Sequence, residues 1–289
     1  MKGYIFFYLS LTLSCLSDVL IKFLTNLISN EQIIFLRSLS SLIIFFCYLY
    51  VSNNTISLSL VKTRFQDICV HILRSILLFG AFFTWNLGLN NNKVSTVTVF
   101  NFFIPSIILV LSALLLKERI GVFRWLLNLI ILSYILVIID DFSIISFTRY
   151  ASLLVSVILF SLSDILNKIV STRYNLINIT FYPFLILSFI TLPFSLQNWI
   201  SLSFSEGCII LLLGISSCFT LLFLLMSFKE VMLSSLVLHR YLELPLSILL
   251  SWIVLGELPD NRVILCAVLI FLTSSMMLWL TINKKTGNL

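Results

Sequence analysis

Leu13-Ser14-Cys15-Leu16-Ser17-Asp18-Val19-Leu20-Ile21-Lys22 is echoed in the second half of the chain by Phe160-Ser161-Leu162-Ser163-Asp164-Ile165-Leu166-Asn167-Lys168. A Ser-Asp-x-Leu-x-Lys core set twice in apolar surroundings predicts a protein made of two copies of one unit. A second echo agrees: Pro105 is followed 13 residues on by Glu118, and Pro245 is followed 12 residues on by Glu257.

The surroundings decide what the unit is. Of 289 residues, 60% are hydrophobic and 10% charged, too apolar for a protein bathed in water. Apolar runs near the roughly 20-residue length of a membrane-crossing helix fall at about 4–25, 32–51, 68–88, 95–116, 122–139, 150–170, 177–196, 208–227, 231–255 and 261–282. The alternating segments of a membrane β-barrel are missing. The expected fold is an all-α integral membrane protein of ten transmembrane helices. Five helices per half is an odd number, so the copies, 1–140 and 150–283, must sit in the bilayer as inverted repeats. Secondary transporters are commonly built this way, with a site between the repeats and discontinuous helices contributing to it.

The net charge of +6 does not imply nucleic acid, because the basic residues are spread over helix ends and form no patch. With the N-terminus inside, Lys2, Lys62, Arg64, Lys117, Arg119, Arg124, Arg173, Lys229, Lys284 and Lys285 fall on the inner flanks, against Lys93, Arg149 and Arg262 outside. That distribution predicts that both termini are cytoplasmic. Glu31, Asp140, Asp141, Glu206 and Asp260 fall outside. The six cysteines lie in or beside apolar runs without metal-ligand spacing and read as small packing residues. The first run is too long for a signal peptide, and carries Asp18 and Lys22, so it is expected to remain as span 1.

Polar groups within spans are the functional candidates, because a charge at the bilayer centre costs at least about 2.5–3.5 kcal/mol. Asp18 and Asp164 fall at mirror depths, each roughly 20 Å along its span. Lys22 and Lys168 follow at i+4, a spacing that suits an intrahelical ion pair; the alternative is a gating or coupling role for all four. Arg37 reads equally as a snorkelling anchor or a carboxylate ligand, His71 and Arg74 as an interfacial pair, and Trp85 as an interfacial belt residue. Asn101, just before Phe102, Phe103 and Pro105, needs a partner inside the bundle and so is a lining candidate. Spans 5 and 10 have little internal polarity, which suits the periphery or a dimer contact; span 7, with Tyr182-Pro183 and Pro193, should bend and end at Pro193; span 8 is bland apart from Ser216-Ser217. Span 9 is the most polar: in His239-Arg240-Tyr241-Leu242-Glu243-Leu244-Pro245, Glu243 falls near mid-bilayer, with Arg240 and His239 within reach along the helix. Glu118 and Glu257 sit at symmetry-related helix ends on opposite faces, where turn chemistry is one explanation and a gating role the alternative.

The layout, the prolines of spans 4 and 9, and the endings Leu-Leu-Lys-Glu-Arg (115–119) and Leu-Gly-Glu-Leu-Pro-Asp (255–260) resemble the EamA branch of the drug/metabolite transporter superfamily over the whole chain. Within it, His71 to Arg74, Ser163 to Lys168 and Arg240 to Leu244 resemble the carriers of S-adenosylmethionine. That resemblance implies a multi-pass bacterial inner-membrane protein importing S-adenosylmethionine in exchange for S-adenosylhomocysteine, with no cofactor or metal. On that reading Glu243 faces the sulfonium or ammonium, Arg74 or Arg240 the carboxylate, Tyr241 or Phe102 the adenine, and His239 joins the gating group. The other weighed reading is an exporter of drugs, amino acids or other metabolites on the same scaffold. An enzyme is disfavoured, since neither histidine sits in an H-E-x-x-H and no G-x-S-x-G occurs; ATP-driven transport lacks its phosphate loop.

Overall fold

The computed structural model describes residues 2–51, 65–118, 120–138 and 144–285. Lys62, Arg64, Arg119, Asp140 and Asp141 lie outside the described residues, as do the side chains of Arg124, Arg149, Lys284 and Lys285.

The described secondary structure is helical throughout: α1 (Lys2–Leu24), α2 (Asn30–Val51), α3 (Phe65–Asn91), α4 (Val94–Phe100), α5 (Phe103–Leu115), α6 (Val122–Ile138), α7 (Ile144–Arg173), α8 (Leu176–Gln197), α9 (Phe204–Glu230), α10 (Leu233–Leu236), α11 (Glu243–Leu255) and α12 (Asn261–Lys285). Among the described residues, eight stretches are long and apolar enough to cross a membrane, and shorter apolar helices occupy the places of spans 5 and 10. Spans 4 and 9 are interrupted, as α4/α5 and α10/α11.

The packing is that of two interlocked halves. α1 lies along α9, and α7 makes the equivalent contact with α3; α1 also meets α11, as α7 meets α5; α2 pairs with α8, α4 with α11 and α6 with α12. Most of these contacts join one half to the other, so neither half buries its polar faces alone.

Both interruptions arise from proline. Pro105 is the third residue of α5 and Pro245 the third of α11, positions where a helix tolerates the missing N–H. The turn before each tightens. In span 4, Asn101 N donates to Thr98 O and Phe102 N to Val99 O, both at i−3 spacing; in span 9, Val237–Leu242 is a 3₁₀ helix. Span 7, expected to end at Pro193, instead continues: α8 runs through Pro183 and Pro193 to Gln197.

The repeats also finish alike. Lys117 and Gly256 adopt the left-handed conformation (φ 54° and 67°), and the following glutamates turn their amides back, Glu118 N to Ser112 O and Glu257 N to Ser251 O, which closes each helix end through its left-handed residue. The glutamate side chains then cross to the other half. Glu118 accepts from Leu233 N and Ser234 N at the start of α10, and Glu257 from Val94 N at the start of α4. Local turn chemistry does not account for these carboxylates: each caps the broken helix of the opposite repeat, where exposed amides and the helix dipole favour a negative charge.

Candidate functional site

Between the halves lies a cavity whose clear space, its open mouth included, is about 870 Å³. Asp18, Asp164, Glu243, Arg37 and Arg240 supply its charges, Asn101 and Asn167 its amides, and Phe82, Trp85, Phe160 and Phe184 its aromatic walls. Three carboxylates thus face two guanidiniums.

The broken span 9 delivers two of these groups. Arg240 sits in the 3₁₀ segment and Glu243 begins α11, so the tightened turn brings them side by side. Arg240 Nη1 donates to Asp164 Oδ2 at 2.6 Å, while its Nε lies 3.7 Å from Glu243 Oε2 without a hydrogen bond. Glu243 Oε1 accepts from Asn101 Nδ2 at 3.0 Å, across from the matching interruption in span 4. One carboxylate oxygen of Glu243 is therefore held, while the other is buried and unsatisfied. Such an oxygen is costly in a resting protein and ready for a cation.

The i+4 ion pairs expected from the sequence do not form. Asp18 Oδ1 accepts from Trp85 Nε1 at 2.8 Å, and Asp164 is taken by Arg240. Lys22 Nζ instead reaches the carbonyls of Leu89 and Asn92 (2.5 and 2.8 Å) at the end of α3, and Lys168 Nζ those of Phe228 and Val231 at the end of α9. A lysine at a helix C-terminus satisfies several orphan carbonyls and complements the dipole, which one exposed i+4 pair worth a few tenths of a kcal/mol does not match. Each lysine thereby seals the turn that leads into its own repeat's broken helix.

Of the other candidates, Asn101 lines the cavity. Arg74 does not: it is fully buried behind the wall, where Nε donates to Asn167 Oδ1 and Nη1 to Ile179 O at 2.7 Å. That carbonyl lies four residues before Pro183, whose missing N–H releases it. Arg74 is thus not the interfacial partner of His71 that the spacing suggested; His71 is itself buried and stacks on Tyr182. Tyr241 and Phe102 face each other in a separate apolar cluster, where Tyr241 Oη donates to Asn128 Oδ1 at 2.9 Å. Span 5 therefore does carry an internal polar group. His239 turns away from Glu243 towards Tyr8.

Trp85, read as an interfacial residue, and Arg37, left open between anchor and ligand, both line the cavity. Trp85 is buried against Phe160 rather than at an interface, and Arg37 points into the cavity rather than snorkelling outwards. The pairing of Asp18 with Trp85 left no signal in the sequence, because a helix-to-helix hydrogen bond has no fixed spacing. Arg37 did leave one, as a lone cation within an apolar run.

Interrupted helices meeting around a charged, aromatic-walled cavity inside a membrane bundle define a carrier of small molecules. The family model for EamA-like transporters matches residues 1–139 and again 148–279, and the chain belongs to that family. It is 30% identical over 271 residues to the S-adenosylmethionine uptake transporter of Rickettsia prowazekii (strain Madrid E), covering 93% of this chain and 90% of that one. It is 29% identical over 293 residues to the protein of the same name from Rickettsia conorii (strain ATCC VR-613 / Malish 7), covering 100% and 95%. One crystal structure superposes with a TM-score of 0.74 over 96% of both chains at 15% identity, a likeness of fold alone.

Proposed function

We propose that this membrane transporter takes up S-adenosylmethionine across a bacterial inner membrane by alternating access, in exchange for S-adenosylhomocysteine, with both termini in the cytoplasm and repeats 1–140 and 150–283 inverted about the cavity. The observation that carries the reading is the surplus of one carboxylate in the lining. S-adenosylmethionine bears a sulfonium, an ammonium and a carboxylate, so it enters with one net positive charge and balances that surplus. Glu243, one oxygen of which accepts no hydrogen bond and has Arg240 Nε 3.7 Å away, faces the sulfonium. Phe82, Phe160 and Phe184 offer apolar faces for the adenine and cation–π contact for the charge. S-adenosylhomocysteine has the same shape without the sulfonium charge, which suits it to leave where its counterpart entered. The names of the Rickettsia relatives support the same cargo.

The test is uptake of labelled S-adenosylmethionine by cells of a bacterium with no carrier of its own, followed by chase with unlabelled S-adenosylhomocysteine on the far side. Wild type is expected to accumulate label and release it faster during the chase, and Glu243→Gln to insert normally but carry nothing. Absence of uptake alongside extrusion of drugs or amino acids would favour an exporter, and full activity of Glu243→Gln would remove that acid from the site.

A further inference from the structure

The remaining question is how the cavity recognises the other end of its cargo. Arg240 is engaged by Asp164 and Glu243, Lys22 and Lys168 by main-chain carbonyls, and Arg74 lies behind the wall. Arg37 differs. Its guanidinium carbon lies 4.1 Å from the centroid of the Phe82 ring, and Nε donates to Ser217 Oγ at 2.6 Å. Among the described residues, no carboxylate comes within ion-pair distance of it and its two terminal nitrogens have no hydrogen-bond partner. The Phe82 ring lies against the guanidinium carbon and the serine takes Nε, so the two terminal nitrogens are the donors left for cargo, and a guanidinium meets a carboxylate through such a pair bidentately.

The backbone holds this arrangement firmly. Ser41 Oγ donates to Gly214 O at 3.1 Å, and a Cβ on Gly214 would stand 2.6 Å from the Cβ of Ser40. Glycine at 214 therefore lets α2 and α9 approach closely one turn from Arg37 and Ser217. Asp18 lines the same cavity, with Oδ1 fixed by Trp85 Nε1.

We propose that Arg37 is the cavity's carboxylate clamp and that, with Asp18 of the same lining to receive an ammonium, it forms a subsite for an α-amino-acid head group. Cargo lacking a carboxylate then binds weakly, however well the rest of it fits. The assignment rests on the cavity being the cargo site.

The experiment measures binding to purified protein of S-adenosylmethionine and of its decarboxylated analogue. Wild type is expected to prefer the carboxylate-bearing ligand. Arg37→Gln should weaken that ligand by about 10- to 100-fold, the loss of a charge-assisted pair, and leave the analogue within about twofold, with Arg37→Lys intermediate because it keeps the charge and loses the fork. Should Arg37→Gln not fold, Ser217→Ala, which frees the Nε side, is expected to give a smaller loss restricted to the carboxylate ligand. Equal losses for both ligands, or none, overturn the clamp. If wild type binds neither, the proposed cargo falls and the clamp is judged with L-methionine against L-methioninol; no preference there overturns it as well.

Discussion

Glu118 and Glu257 are the same residue of the repeat used at two places: each ends its own broken helix and caps the first turn of the other repeat's, Glu118 on α10 and Glu257 on α4. The contact is reciprocal, so neither half completes its discontinuous helix without the other. Odd helix spacing puts the two caps on opposite membrane faces, with Lys168 beside the first and Lys22 beside the second.

Removal of either cap is expected to loosen one face. Glu118→Ala should cost about 1 kcal/mol of stability, the usual value of an N-terminal cap, and make cavity residues more reactive to a thiol reagent from the cytoplasm; Glu257→Ala should do the same from outside. Reactivity rising on the same face in both variants would remove the caps from any part in closure.

Lys117 holds the left-handed turn that Gly256 holds in the other repeat. Since a side chain there costs roughly 1 kcal/mol, Lys117→Gly should raise the melting temperature in detergent, while Gly256→Ala should lower it even though nothing lies within 4 Å of the added carbon.

The pair of Arg240 with Asp164 is largely buried, at 16% and 6% side-chain exposure. Asp164→Asn keeps an amide oxygen for the guanidinium but removes its close counter-charge, leaving only the Glu243 oxygen at 3.7 Å, and is expected to destabilise by about 3 kcal/mol. The double variant Asp164→Asn with Arg240→Gln should recover most of the stability but no transport. Recovery of both would make the pair merely structural.

Arg74 acts on the cavity through Asn167. A guanidinium only donates, so the atom of Asn167 facing it is the oxygen and the amide N–H group is turned away from it. Arg74→Met should raise the KM for uptake more than it lowers kcat, and Asn167→Asp, which keeps a partner for Arg74 but removes the N–H donor, should raise KM while preserving the melting temperature. Unchanged KM in Asn167→Asp would show that the amide does not meet cargo.

Orientation can be checked between α8 and α9. A tag inserted among residues 198–203 should be reached by reagents from outside the cell; labelling only after the membrane is opened would reverse the assignment of the termini.

Much of this chain was legible without coordinates. Hydrophobic length decided that it crosses the membrane, because water and hydrocarbon sort side chains residue by residue. The repeated Ser-Asp-x-Leu-x-Lys and the twin Pro–Glu spacings revealed two related halves, since helices in the same role keep the same turns. Which polar groups meet was decided by tertiary structure alone. Spacing along one helix favoured Asp18 with Lys22 and Asp164 with Lys168, yet partners on other helices won: Trp85, Arg240 and the carbonyls at two helix ends. In an apolar bundle a buried polar group binds whichever complement the packing brings within 3 Å, and that distance is set between helices, where no sequence interval records it.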